Sequence, residues 1–157
     1  ISSLILLMKH DKITDELKNF YEKWQSNDNV INKWFAAQAT YTTPKKAVQV
    51  VSKLTKHDFF DFKNPNRFKS VIETFASANL LGFHQSDGQG YDLVTDWLIK
   101  LDGINPQTTA RVCTVFDNWK LFDSDRQTKI EQNLLKLLTI KSVSKNTYEI
   151  VNTLLKK

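Results

Sequence analysis

Apolar residues recur along this chain every three or four positions, with polar and charged residues between them, which is the period of an amphipathic α-helix. Two stretches show the pattern most clearly: Phe68, Val71, Ile72 and Phe75, then Tyr91, Val94, Trp97, Leu98 and Leu101. No stretch shows the strict alternation of apolar and polar residues that is typical of a half-buried strand. The pattern therefore predicts an all-α protein.

The three prolines mark the starts of helices. Pro44, Pro65 and Pro106 each follow a Thr or an Asn, and a helix accepts proline in its first turn because the amide there has no intrahelical partner. They lie 21 and 41 residues apart, and two helices per ~40 residues is typical of stacked helical hairpins. We predict a solenoid-like stack of antiparallel helices.

Other polar residues indicate where further helices begin and end. Asp28 or Asn29 is expected to cap the helix that contains Trp34, and Asp123 or Ser124 the helix that contains Leu134. Gly103 fits the position that follows the end of a helix.

Composition limits the class of protein. With 157 residues, 41% hydrophobic and 25% charged, the chain fits one globular domain, and only four Gly and three Pro argue against a barrel or sandwich. The single cysteine, Cys113, excludes an internal disulfide framework and fits a reducing compartment. The net charge of +5 would suit nucleic acid, but the lysines are scattered, which favours an ordinary solvated surface.

The beginning of the sequence suggests a fragment of a longer protein. It opens with Ile1, and the apolar run 4–8 is too short to span a bilayer, which takes ~20 residues. No basic segment precedes this run and no small-residue cleavage site follows it, so we expect neither a signal peptide nor a membrane anchor.

The sequence contains no recognisable catalytic motif. His10, His57 and His84 form no HExxH pair for zinc, and no G-x-S-x-G elbow is present. His84 is expected to be a helix-end histidine satisfied by the backbone. Cys113 lies on an apolar helix face, which predicts a buried, unreactive thiol.

Two polar stripes are the remaining candidates for function. The first spans helical positions i, i+4, i+7 and i+11, which share one face: Gln107, Arg111, Thr114 and Asn118. The second combines Arg67, Ser70 and Thr74, with Lys69 beside Glu73 at i+4. Both could simply face solvent. Alternatively, cations from two neighbouring repeats could converge on an anionic group such as a carboxylate.

Several long blocks carry a resemblance to a known family. "FYEKWQSNDNVINKWFAAQAT", "KNPNRFKSVIETFASAN", "FHQSDGQGYDLVTDWLIKLDGINPQTTARV" and "RQTKIEQNLLKLL" resemble the C-terminal domain of bacterial aminopeptidase N, from about Phe20 to about Leu138. The resemblance implies that residues 1–157 are one helical domain of a four-domain zinc peptidase. It implies a right-handed α–α superhelix of the ARM/HEAT kind with about eight helices, which covers an active site whose HExxH zinc centre lies in another domain.

The resemblance also implies roles for particular residues. In the family, the Gln and Arg of the Asn-Pro-Gln-x-x-x-Arg helix face an internal chamber near the C-terminal side of the bound ligand, and here these are Gln107 and Arg111. The family usually has Arg where this chain has Lys69. Whether Lys69 or Arg67 faces the chamber stays open at this stage.

The resemblance further implies how the fragment would work. Beside the catalytic and N-terminal domains of the same cytoplasmic polypeptide, it would help to bind the C-terminal side of short peptides. It would have no catalytic centre and no cofactor of its own. A stand-alone helical-repeat scaffold that binds a protein or peptide is the alternative, and nucleic-acid binding through the basic surface ranks after it.

Overall fold

A computed structural model describes residues 14–157 of the chain. The expectations for the apolar run 4–8 and for His10 lie outside this range. Every regular element within this range is helical, which confirms the all-α prediction. Residues 14–157 form nine helices, close to the eight expected: α1 Thr14–Trp24, α2 Asp28–Tyr41, α3 Ala47–Leu54, α4 in three continuous parts (Pro65–Phe68, a π-helical turn Lys69–Glu73, and Thr74–Ala78), α5 Leu80–Phe83, α6 Gln89–Asp102, α7 Pro106–Cys113, α8 Ser124–Leu138 and α9 Lys145–Leu155.

Three short 3₁₀ turns complete the regular structure of the described part of the chain, at Pro44–Lys46, Thr114–Phe116 and Trp119–Leu121. In residues 14–157 the structure has no helix of the length and apolar character needed to cross a bilayer.

Side chains just before the helices satisfy their first amide groups. Asn64 and Asn105 accept hydrogen bonds from the first turns of α4 and α7, as the Asn-Pro pattern predicts, and Ser144 does the same for α9. The cap of α2 is Asn27, so the choice of Asp28 or Asn29 is wrong by one position. Thr43 precedes the 3₁₀ turn at Pro44 without a side-chain cap bond.

The helices pack in two layers. One layer contains α2, α4, α7 and α9, and the other contains α3, α6 and α8. Within the layers α7 packs against α9 and α8 against α6, while α6–α7 and α8–α9 contacts join them. Large aromatic and aliphatic side chains fill the space between the layers: Phe35, Phe68, Phe75, Phe83, Tyr91, Phe116, Trp119, Leu98, Leu101 and Ile130.

Polar cross-links between consecutive repeats recur at an almost constant separation. Each of the following joins residues 39 to 42 positions apart in sequence: Arg67–Asp28, Asn79–Ala39, Arg126–His84, Asn133–Asp92, Lys136–Asp96, Ser144–Asp102 and Lys157–Asp117. The repeat of about 40 residues, inferred from the spacing of prolines, is therefore present in the packing.

Two glycines are required by the way α6 begins. Gly88 has φ 77°, a left-handed conformation that side-chain-bearing residues adopt at a cost. A Cβ at Gly90 would overlap the carbonyl oxygen of Phe83 at the end of α5. Gly103 follows the end of α6, as predicted, in a right-handed conformation at φ −69°, so the left-handed terminus that a glycine often indicates is absent there.

Candidate functional site

The Gln107–Arg111 face of α7 is exposed. The Asn105 side chain accepts a hydrogen bond from Thr108 N at 3.0 Å, and Pro106 sets the first turn. The opposite face packs inward through Val112 and Cys113, which are both fully buried. Because the helical period separates these two faces, Gln107 and Arg111 are directed away from the core.

The predicted polar stripe continues past the end of α7. Thr114 and Asn118 are exposed, like Gln107 and Arg111, so all four members of the stripe lie on the surface. The Thr114 hydroxyl donates to the carbonyl of Arg111 at 2.7 Å, where the helix tightens into the 3₁₀ turn Thr114–Phe116.

Next to the stripe, α7 and α9 enclose a shallow depression of about 370 Å³, whose lining includes Ala110 and Ile150.

A π-helical turn interrupts α4 at Lys69–Glu73. The Thr74 hydroxyl donates to the carbonyl of Lys69 at 3.0 Å, and the Ser70 hydroxyl to that of Arg67 at 2.8 Å. Such turns are rare and occur frequently at functional sites. The second predicted stripe does not face solvent as a whole, because Arg67 and Ser70 are buried.

Arg67 lies inside the packing. Its side chain is 4% exposed, its Nη2 contacts Asp28 Oδ1 at 2.9 Å, and its guanidinium lies 5.1 Å from the Phe35 ring centre. Burial lowers the pKa of Arg67, while Asp28 acts in the opposite direction. These contacts connect α4 to the start of α2 and favour a structural role for Arg67. Lys69 is partly exposed and is the better placed of the two basic candidates.

The two helices that carry the candidate residues meet at an ion pair. Arg111 Nε lies 3.8 Å from Glu73 Oε1, at the end of the π-helical turn. The Arg111 side chain is 68% exposed and that of Glu73 26%. This contact brings α7 and α4 together. The convergence of their cations on one ligand stays a prediction. Sequence analysis placed Glu73 beside Lys69 but missed its pairing with Arg111. The only signal in the sequence for this pairing is that the two residues are separated by nearly one repeat of about 40 residues.

A second feature is an apolar cavity of about 400 Å³ between the end of α4, α5 and the segment after α7. His84 lines it, and its Nδ1 forms a 3.0 Å hydrogen bond with the Tyr91 hydroxyl. The expected backbone partner of this ring is therefore replaced by a side chain. Burial, aided by Arg126, lowers the pKa of His84 to about 4, and burial raises that of Tyr91 to about 12. Both groups are neutral at pH 7.

The other groups that sequence analysis considered for chemistry are also engaged or buried. Burial raises the pKa of Cys113 to about 12, so its thiol is unreactive, as predicted. His57 accepts a hydrogen bond from Phe59 N at 3.2 Å. Among residues 14–157, no three His, Cys, Asp or Glu side chains are arranged to hold a metal ion. The described residues therefore do not fit a catalytic zinc.

Comparison with known proteins identifies similar chains. Residues 1–156 match the model of a domain family described as "Domain of unknown function (DUF3458_C) ARM repeats". Aminopeptidase N of Haemophilus influenzae is 38% identical over 133 residues, and aminopeptidase N of Escherichia coli is 34% identical over 133 residues. Each match covers 85% of this chain and 15% of the relative. The chain therefore spans about one seventh of the length of these relatives and matches their C-terminal region.

A solved structure gives the same result for the fold. The crystal structure of Legionella pneumophila aminopeptidase A in complex with aspartic acid superposes with a TM-score of 0.89 at 29% identity. The match covers 98% of this chain and 18% of the other. The similarity extends over nearly the whole chain, while most of the matched protein lies outside it.

Proposed function

This chain belongs to the DUF3458_C family of ARM-repeat domains, and from that premise we propose that it is the helical cover of a zinc aminopeptidase that removes N-terminal residues from short peptides. The aminopeptidase relatives support the activity of the parent protein. The catalytic and N-terminal domains of the same polypeptide are its partners. The catalytic domain supplies the zinc, and the parent enzyme acts in the cytoplasm.

The single observation that carries the substrate-binding role is the exposed face of Gln107 and Arg111 next to the π-helical turn of α4. A guanidinium presents parallel N–H groups that match a carboxylate, and a nearby amide can donate to the same ligand. We assign Arg111 and Gln107 to the C-terminal side of the bound peptide, where they orient the chain while zinc in the catalytic domain acts at its N-terminus.

Lys69 supplies a second positive charge from the opposite helix of the pair. Its ammonium attracts a carboxylate as a point charge and lacks the planar fork of an arginine, so its contribution to affinity is smaller. Arg67 strengthens the site indirectly, since its contacts with Asp28 and Phe35 fix the start of α4.

The cover also selects substrates by size. A helical stack placed over an active site leaves a channel that admits short peptides and excludes folded proteins. This role depends on shape, so it does not require any single side chain of the stripe.

The test uses full-length enzyme with Arg111→Ala. Loss of a charge-assisted contact worth about 1.5 kcal/mol raises KM for short peptides roughly tenfold. KM for single-residue chromogenic amides, which do not reach this face, stays unchanged. Gln107→Ala is expected to give a smaller change of the same kind.

Lys53→Ala on α3, an exposed cation in the other layer, is the matched control and should affect neither substrate. If Arg111→Ala changes KM for peptides and chromogenic amides equally, the substrate-binding role is wrong.

A further inference from the structure

The contact between Glu73 and Arg111 is an ion pair that is too long for a hydrogen bond. Its Oε1 lies 3.8 Å from Arg111 Nε, beyond hydrogen-bond distance. The attraction between the two side chains is therefore electrostatic and not a directional hydrogen bond. Glu73 lies on the Nε edge of the guanidinium. Within residues 14–157, Glu73 is the one carboxylate that forms an ion pair with Arg111.

The two partners are constrained to different degrees. Glu73 is the less exposed side chain, at 26% against 68% for Arg111, and its backbone carbonyl accepts a 2.7 Å hydrogen bond from the Ser77 hydroxyl. Glu73 also ends the π-helical turn that Lys69 begins, so both lie on neighbouring positions of one helix face. The structure thus combines two candidate binding cations with a more enclosed negative charge beside one of them.

We propose that Glu73 determines how strongly this site distinguishes a free peptide carboxylate from an uncharged C-terminus. The inference rests on the proposed function of Arg111. A substrate carboxylate that binds Arg111 must approach a carboxylate already present on the same guanidinium, so Glu73 lowers the affinity for the free acid. An amidated C-terminus carries no charge and does not meet this repulsion.

The opposite role, in which Glu73 orients Arg111 for binding, predicts the opposite sign. An orienting carboxylate would hold the guanidinium through direct hydrogen bonds, as bidentate pairs do. The 3.8 Å separation and the 68% exposure of Arg111 favour a charge effect instead.

The experiment compares full-length wild-type enzyme with Glu73→Gln, which keeps the size and polarity of the side chain and removes its charge. KM is measured for matched pairs of peptides that differ only in a free or amidated C-terminus. We expect KM for the free acids to fall about threefold to tenfold, as one nearby exposed charge is removed, and KM for the amides to stay constant. The effect should decrease as salt is raised.

Glu22→Gln provides the matched control, since Glu22 is an exposed glutamate on α1 that is paired with Lys18. It should leave both KM values unchanged. Unchanged or increased KM for free acids in Glu73→Gln would overturn the inference about Glu73.

The outcome for Arg111→Ala separates the two proposals. If Arg111→Ala raises KM for free acids only, while Glu73→Gln does not lower it, the binding role stands and the inference about Glu73 fails. If Arg111→Ala raises KM equally for peptides with a free C-terminus and for peptides with an amidated C-terminus, the proposed function itself fails.

Discussion

Asp102 offers a direct test of how consecutive repeats are held together. It ends α6, is 2% exposed, and accepts three hydrogen bonds from the start of α9. Its Oδ2 accepts from Ser144 N at 2.7 Å, and its Oδ1 accepts from the hydroxyls of Ser144 at 2.7 Å and Thr147 at 2.5 Å. Asp102→Ala would leave all three donors without this acceptor in a largely buried position.

The size of the effect follows from these contacts. Each hydrogen bond to a charged acceptor contributes about 1.5–3 kcal/mol, but deleting the carboxylate also removes the cost of burying it, so the terms do not simply add. We expect Asp102→Ala to lower the free energy of unfolding by about 3 kcal/mol. Asp102→Asn should cost only about 1 kcal/mol, because its amide oxygen can accept from Ser144 N while its amide group donates to a hydroxyl.

Urea unfolding measures the total change, and amide hydrogen exchange shows whether α9 opens first. Asp96→Ala is the matched control, because Asp96 also lies on α6 and pairs with Lys136 of α8, but at an exposed position. It should cost less than about 1 kcal/mol. If Asp102→Ala costs no more than Asp96→Ala, or if α9 keeps its exchange protection, the reasoning is refuted.

Three further predictions concern groups in the core or at its edge. Because folding lowers the pKa of His84 from 6.5 to about 4, the folded state binds fewer protons than the unfolded state between these pH values. The contribution of neutral His84 to the free energy of unfolding is therefore fully present above pH 6.5 and falls by about 2–3 kcal/mol towards pH 4. In urea titrations, His84→Gln should lose this part of the pH dependence. Gly90→Ala should lower the free energy of unfolding by about 2 kcal/mol, because its Cβ meets the Phe83 carbonyl, and a Tm equal to wild type would contradict this. Cys113, with its pKa raised to about 12, should react with iodoacetamide at pH 8 only after urea unfolding; rapid labelling of the native chain would show that the site opens.

The parts of this fold that could be predicted from sequence are those set by local chemistry. Asn64 and Asn105 cap their helices because a short polar side chain can reach the free amides of the next turn, whatever surrounds it. The exposed stripe of Gln107 and Arg111 follows from helical period alone. The repeat of about 40 residues could be read because proline is accepted in the same position at the start of successive helices.

The parts that could not be predicted depend on contacts between repeats. Arg67 can be buried because it forms an ion pair with Asp28 and its guanidinium packs over the ring of Phe35, both in the preceding repeat. No local sequence pattern reveals these partners. The π-helical turn at Lys69–Glu73 leaves the apolar spacing of α4 nearly intact, so periodicity does not reveal it. The Glu73–Arg111 pair likewise requires the relative placement of two helices.

These contacts also explain how an exposed arginine can serve as a binding group. The helix that carries Arg111 is fixed on its inner side by the fully buried Val112 and Cys113, and the Trp119 indole after it donates to the Leu154 carbonyl of α9 at 2.9 Å. The backbone of α7 is therefore positioned by the packing of neighbouring repeats, while the guanidinium stays 68% exposed. A fixed backbone with an exposed side chain suits a binding group. The rigid helix lowers the entropic cost of positioning the charge, and the exposed guanidinium keeps its N–H donors for the ligand.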